Sequence, residues 1–99
     1  MDYKLITRHC NSSDKLEAHI SKKIQKLARF SAWIKHIEII IDGEGDRGNT
    51  EINVSMNHKK INAKAKGKDP FKTVAEAINK VERQVKKFEE KVTQHHGRR

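Results

Sequence analysis

A two-layer α+β fold, a four-stranded sheet with two helices packed on one face, is predicted by three observations. Four short segments rich in β-branched residues alternate apolar and polar side chains, so each has one dry and one wet face. Two longer segments instead repeat apolar residues at three- and four-residue steps, the period of an amphipathic helix. The segments follow one another in the order β-α-β-β-β-α, and antiparallel strands with one solvated face leave the other face for both helices. At 99 residues the chain is expected to form one domain, residues 1–99, with one modest core and a flexible tail from about residue 94.

The segment "YKLIT" (3–7) is a short strand candidate that ends in the turn-like "RHCNSSD". Ser13 is the expected N-cap of the first helix, with Asp14 in its first turn favouring the dipole. Leu16, Ile20, Ile24 and Leu27 form its apolar stripe and carry it from Asp14 to about Ala32. "IKHIEIIID" (34–42) places Ile37, Ile39 and Ile41 on one face of a second strand. "NTEINVSMNH" (49–58) alternates Thr50, Ile52, Val54 and Met56 with polar residues, and "KINAKAKG" (60–67) turns Ile61, Ala63 and Ala65 inward. Small alanines on the dry face predict close approach of a covering helix. Pro70 suits the first turn of the last helix, with Asp69 as its N-cap. Val74, Ile78, Val81, Val85, Phe88 and Val92 then step by four and three residues. That is also the spacing of a coiled-coil seam, so a helix-mediated interaction with a partner protein is an alternative reading.

Composition narrows the partner. Lys and Arg number 22 against 13 Asp and Glu, a net charge of +9, which favours a polyanion such as nucleic acid or an anionic membrane surface. The hydrophobic fraction is 34% but strongly periodic, which predicts a folded domain rather than disorder. One Cys excludes an internal disulfide. With no apolar run near 18 residues and no leader pattern, the chain is expected in the cytoplasm and off the membrane.

Motifs for chemistry fail on context. "GEGDRG" (43–48) matches G-x-G-x-x-G after a strand, but a dinucleotide loop must open a helix and here a strand follows. Asp42, Glu44 and Asp46 would repel phosphate, and a hairpin loop is the better reading. As a calcium loop the stretch places its glycine one position late and Asn53 where a bidentate Glu belongs. The clusters His9 with Cys10 and His95 with His96 lack zinc-ligand spacing. Cys10 lacks a visible base and pocket, and the carboxylates lie mainly in helices and the hairpin loop beside Lys or Arg, with no constellation for paired-acid catalysis. No enzyme activity, cofactor, metal or small-molecule substrate is expected.

The basic residues are sorted. On a helical wheel Lys80, Arg83, Lys87 and Lys91 fall within about 80° of one another, largely opposite the valine stripe, with Glu82 and Glu89 on one flank. Lys15, Lys22, Lys26 and Arg29 fall within about 60° on the first helix, with His19 beside them. Two helices side by side would join these stripes, and Lys64 and Lys66 add charge on the exposed sheet. Such a surface suits the phosphates of folded RNA. Tyr3, Phe30, Phe71 and Phe88 have core explanations, and Trp33 is expected to pack at the helix–strand junction, so stacking on unpaired bases is disfavoured against shape and phosphate contacts. General double-stranded RNA binding is a further alternative.

The stretch "DPFKTVAEAINKVERQVKKFEEKVTQHH" closely resembles the last helix of the bacterial ribosome hibernation factors, the family of protein Y and the short hibernation promoting factor. The likeness rests on Asp69 and Phe71, on "AINKVERQV" with Lys80, Arg83 and Gln84, and on Lys87 and Lys91. "INAKAKGKD" resembles the family's fourth strand, and "KLARF" with Lys23 the end of its first helix. The resemblance implies a non-enzymatic, monomeric protein that binds the small ribosomal subunit and its rRNA between head and body. There it would block mRNA and tRNA and inhibit translation under stress. It implies rRNA contacts for Lys23, Lys26, Lys80, Arg83, Lys87 and Lys91; the wheel and the strand alternation add Lys22, Arg29, Lys64 and Lys66. Ending at Arg99, without the second domain of long members or the acidic tail of protein Y, the sequence resembles the short type.

Overall fold

A computed structural model describes residues 2–44 and 47–97, with the side chains of 44 and 93–97 left out of the description. Its elements are β1 (Lys4–Arg8), α1 (Asp14–Ile24), a 3₁₀ segment (Gln25–Phe30), β2 (Ile34–Glu44), β3 (Arg47–Met56), β4 (Lys59–Gly67) and α2 (Pro70–Gly97). This is the predicted β-α-β-β-β-α order and the predicted α+β class. The sheet order is β1-β2-β3-β4.

One expectation is corrected. The sheet is mixed: β1 runs parallel to β2, while β2–β3 and β3–β4 are antiparallel hairpins. A parallel neighbour needs a crossover, and α1 is that crossover, so β1 and β2 form a β-α-β unit. Alternation shows which face of a strand is dry but not which way the strand runs.

The register aligns the inward residues in rows across the sheet. Ile37 pairs with Val54 and Val54 with Ile61; Ile39 pairs with Ile52 and Ile52 with Ala63; Ile41 pairs with Thr50 and Thr50 with Ala65. All of these are buried. α2 packs over β3 and β4, where Ala63 and Ala65 leave room for it, and α1 lies beside α2. Val74, Ala77, Ile78, Val81 and Val85 are fully buried, so the seam-like series of α2 is occupied by the protein's own sheet and first helix. Lys35 is the extra residue of a bulge between Ile34 and His36.

The helix ends follow local chemistry. Ser13 Oγ accepts from the Leu16 amide at 3.1 Å, the expected cap. Asp69 Oδ1 accepts from the Phe71 amide at 2.9 Å, and its carbonyl accepts from Thr73 at 3.0 Å. The first helix is shorter than expected. After Ile24 it tightens to 3₁₀ geometry, which brings Leu27 and Phe30, three residues apart, onto one buried line. β2 and β3 pair as far as Glu44 and Arg47, so the segment following the glycine-rich stretch is a strand. Gly45 and Asp46 of that stretch lie outside the described residues, as do residues 98 and 99 of the tail. His58, expected at the end of a strand, sits instead in the β3–β4 turn with φ 63°. No helix among the described residues is long and apolar enough to cross a membrane.

Candidate nucleic-acid interface

α2 has two flanks, and hydrogen bonds identify both. On one side Lys26 Nζ, from the 3₁₀ segment, donates to Asn79 Oδ1 at 3.0 Å. On the other, Lys80 Nζ donates to the Lys64 carbonyl of β4 at 2.7 Å. Adjacent residues of α2 therefore meet different neighbours: Asn79, at the crest, is reached by Lys26 from the first helix, and Lys80 reaches down to the sheet edge. Arg83 stands one turn beyond Asn79 on the crest between them, and Lys87 and Lys91 continue the flank that Lys80 begins. Arg83, Lys87 and Lys91 are exposed, while Lys80 is partly covered by its contact with β4.

The first helix turns its basic ridge toward α2. His19 and Lys26 both touch α2, and Lys15 and Lys22 are neighbours of His19 on the same helical face. Lys22, Lys26 and Arg29 are exposed and Lys23 is half-buried. In 3₁₀ geometry residues three apart eclipse, so Lys26 and Arg29 stay on one line. The Arg29 guanidinium lies 4.5 Å from the centroid of Phe30, a cation–π contact that orients it.

The two ridges share one face of the molecule but do not run edge to edge. Glu82, three turns beyond Phe71 on the α1 side of α2, lies between them. Glu89, on that same flank, is engaged: its Oε2 accepts from Trp33 Nε1 at 3.2 Å. Trp33 also meets Phe88 edge to face at 5.6 Å, which places it at the helix–strand junction as expected. Lys72 and Lys86 are exposed on the same crest as Asn79, seven residues to either side. Neither belongs to the predicted set, because the densest sector of basic residues on the wheel is offset from the crest.

Lys64 and Lys66 stand apart from the other eight. Both point from β4 to the open face of the sheet, away from the helices. There Lys64 pairs in register with Glu51, Lys66 with Asn49 and Arg8 with Asp42. A cavity of about 270 Å³ on this face is lined by Arg8, Asp42, Asn49, Glu51, Lys64 and Lys66, among others, and so carries both signs of charge. Asn62 donates to Glu51 and Asn53, each at 2.6 Å, and His9 Nδ1 lies 2.9 Å from Asp42 Oδ1. Cys10 is exposed beside it, its thiol 3.6 Å from the Ile41 carbonyl. Among the described residues no three His, Cys, Asp or Glu side chains converge on a common point.

A family model described as Sigma 54 modulation protein / S30EA ribosomal protein matches residues 3–93. The chain belongs to this family. The S30EA match spans every strand, α1 and α2 as far as Thr93, so the basic crest of α2 falls within it. A solved structure of a ribosomal subunit interface protein from Coxiella burnetii is 26% identical, covers 90% of this chain and 98% of that one, and superposes with a TM-score of 0.82. The N-terminal domain of Protein Y from Thermus thermophilus is 24% identical over 87% of this chain and 96% of that one, with a TM-score of 0.77, a likeness of fold. No curated protein sequence matches the chain.

Proposed function

We propose that this S30EA-family chain is a non-enzymatic factor that binds the small ribosomal subunit through its rRNA. It would occupy the decoding region, exclude mRNA and tRNA, and so inhibit translation in stress or stationary phase. The observation that carries the reading is the outer surface of the helix layer. Lys22, Lys23, Lys26, Arg29, Lys80, Arg83, Lys87 and Lys91 are held on one face by two helices whose spacing the core fixes. A rigid basic face of this kind matches phosphates of folded RNA by position as well as by charge. Lys64 and Lys66 would add a smaller contribution from the sheet edge. Likeness to a structure described as a ribosomal subunit interface protein, and the S30EA family itself, support the ribosome as the RNA-bearing partner. The block is steric and needs no cofactor, and the protein acts as a cytoplasmic monomer.

Sedimentation of the purified protein with separated ribosomal subunits tests the proposal. Binding to the small subunit is expected, falling with salt at a log–log slope of about −6 to −7 for eight phosphate contacts. Absence from the small subunit, or binding indifferent to salt, overturns it. An unrelated RNA duplex that competes equally would reduce it to general double-stranded RNA binding.

A further inference from the structure

Phe71 departs from the sequence expectation that it belongs to the core. It is 37% exposed, the one large hydrophobic residue so exposed among the described residues. Its position is nevertheless fixed. The Phe71 amide donates to Asp69 in the cap of α2, and the Phe71 carbonyl accepts from His19 Nε2–H at 3.0 Å. The His19 ring then packs against the phenyl ring at a centroid distance of 5.0 Å and an angle of 64°. The aromatic is thus held from the α1 side and keeps about a third of its surface open to solvent.

Its surroundings are cationic. Lys15 and Lys22 flank His19 on α1, Lys68 and Lys72 flank Phe71 in sequence, and all four are exposed. The nearest carboxylate in sequence, Asp69, is tied to the helix cap. The core of a protein–protein interface is depleted of lysine, whereas a pre-oriented aromatic with exposed lysines close by in sequence and on the facing helix suits a base with phosphates on either side.

We propose that Phe71, oriented by His19, is a stacking platform for an unpaired base of the bound RNA, with Lys15, Lys22, Lys68 and Lys72 receiving the flanking phosphates. The inference rests on the rRNA-binding reading and adds a mode of recognition that phosphate contacts alone lack. RNA is read at unpaired positions by such aromatic stacking.

The test measures affinity for small subunits, at several salt concentrations, for the wild type, Phe71→Leu and Phe71→Tyr. The leucine variant keeps apolar volume but loses the π face and is expected to bind about 5- to 150-fold more weakly, the range of one lost base stack. Its salt dependence should run parallel to the wild type, because no phosphate contact is removed, and the tyrosine variant should bind within about 2-fold of wild type. A photo-cross-link from p-benzoylphenylalanine placed at position 71 should go to RNA. Wild-type affinity in the leucine variant, equal losses in both variants, or a cross-link to a ribosomal protein overturns the platform while leaving the ribosome reading intact. Failure of the wild type itself to bind small subunits overturns both.

Discussion

The outer surface of the helix layer and the outer surface of the sheet both carry lysines, but acids face them pair by pair across the strands of the sheet, whereas on α2 cations outnumber the interleaved acids. On the sheet, register places Lys4 beside Glu38, Arg8 beside Asp42 and Lys64 beside Glu51. Cross-strand neighbours lie about 5 Å apart, so opposite charges there offset one another locally. On α2 the crest and the β4-side flank carry Lys72, Lys80, Arg83, Lys86, Lys87 and Lys91 against Glu76 and Glu90. A net charge of +9 is therefore spread unevenly, and the helix layer holds the larger uncompensated share. Net charge by itself favours a polyanion without naming a face; the asymmetry is the reason the proposed interface is placed on the helix layer.

The strongest way to break this comparison is to reverse charge on the helix face. Lys80→Glu, Arg83→Glu and Lys87→Glu together should reduce small-subunit binding by on the order of 10³-fold or more and flatten the salt slope by about 2 to 3. Circular dichroism should be unchanged, since none of the three lies on the buried stripe of α2. Next comes the wall that both faces share. Ile78, fully buried on the inner face of α2, should cost about 2–5 kcal/mol as Ile78→Ala, read as a thermal midpoint lower by on the order of 10 °C or more.

A smaller effect tests how the start of α2 is pinned to the sheet. Thr73 Oγ1 donates to the Pro70 carbonyl at 3.1 Å and lies 3.0 Å from Thr50 Oγ1. With its one proton committed to Pro70, Thr73 must accept from Thr50, and both residues are buried. Thr73→Val strands the Thr50 hydroxyl and should cost about 1–3 kcal/mol in denaturant melts. The smallest effect sharpens the contrast between the faces. Lys64→Glu with Lys66→Glu should weaken subunit binding by about 3-fold and leave the salt slope nearly unchanged; a loss equal to that of the α2 triple variant would show that the sheet face binds as strongly as the helices.

Ser13 and Asp69 were legible as caps because capping is decided within one turn of chain, and the alternating rows of β2, β3 and β4 were legible because a strand has a period of two. Lys80, Arg83, Lys87 and Lys91 were legible as one sector of a helix for the same local reason. Phe71 was misread. An aromatic beside an apolar stripe reads as core, yet α2 turns that flank toward His19 at the rim of the α1–α2 seam, and the ring stays exposed. The wheel also runs past Ile24 on α-helical geometry, where the backbone tightens to 3₁₀ to bury Leu27 and Phe30.

Sequence by itself determined the elements, their order, their dry faces and the sorting of basic residues on each helix, because each depends on neighbours within a few residues. Only the tertiary structure decided that β1 runs parallel to β2, that the first helix meets α2 at Asn79 while Lys80 reaches to the sheet edge, and that Phe71 stays at the surface. Those outcomes depend on how one element packs against another far along the chain, and periodicity within an element carries no information about that.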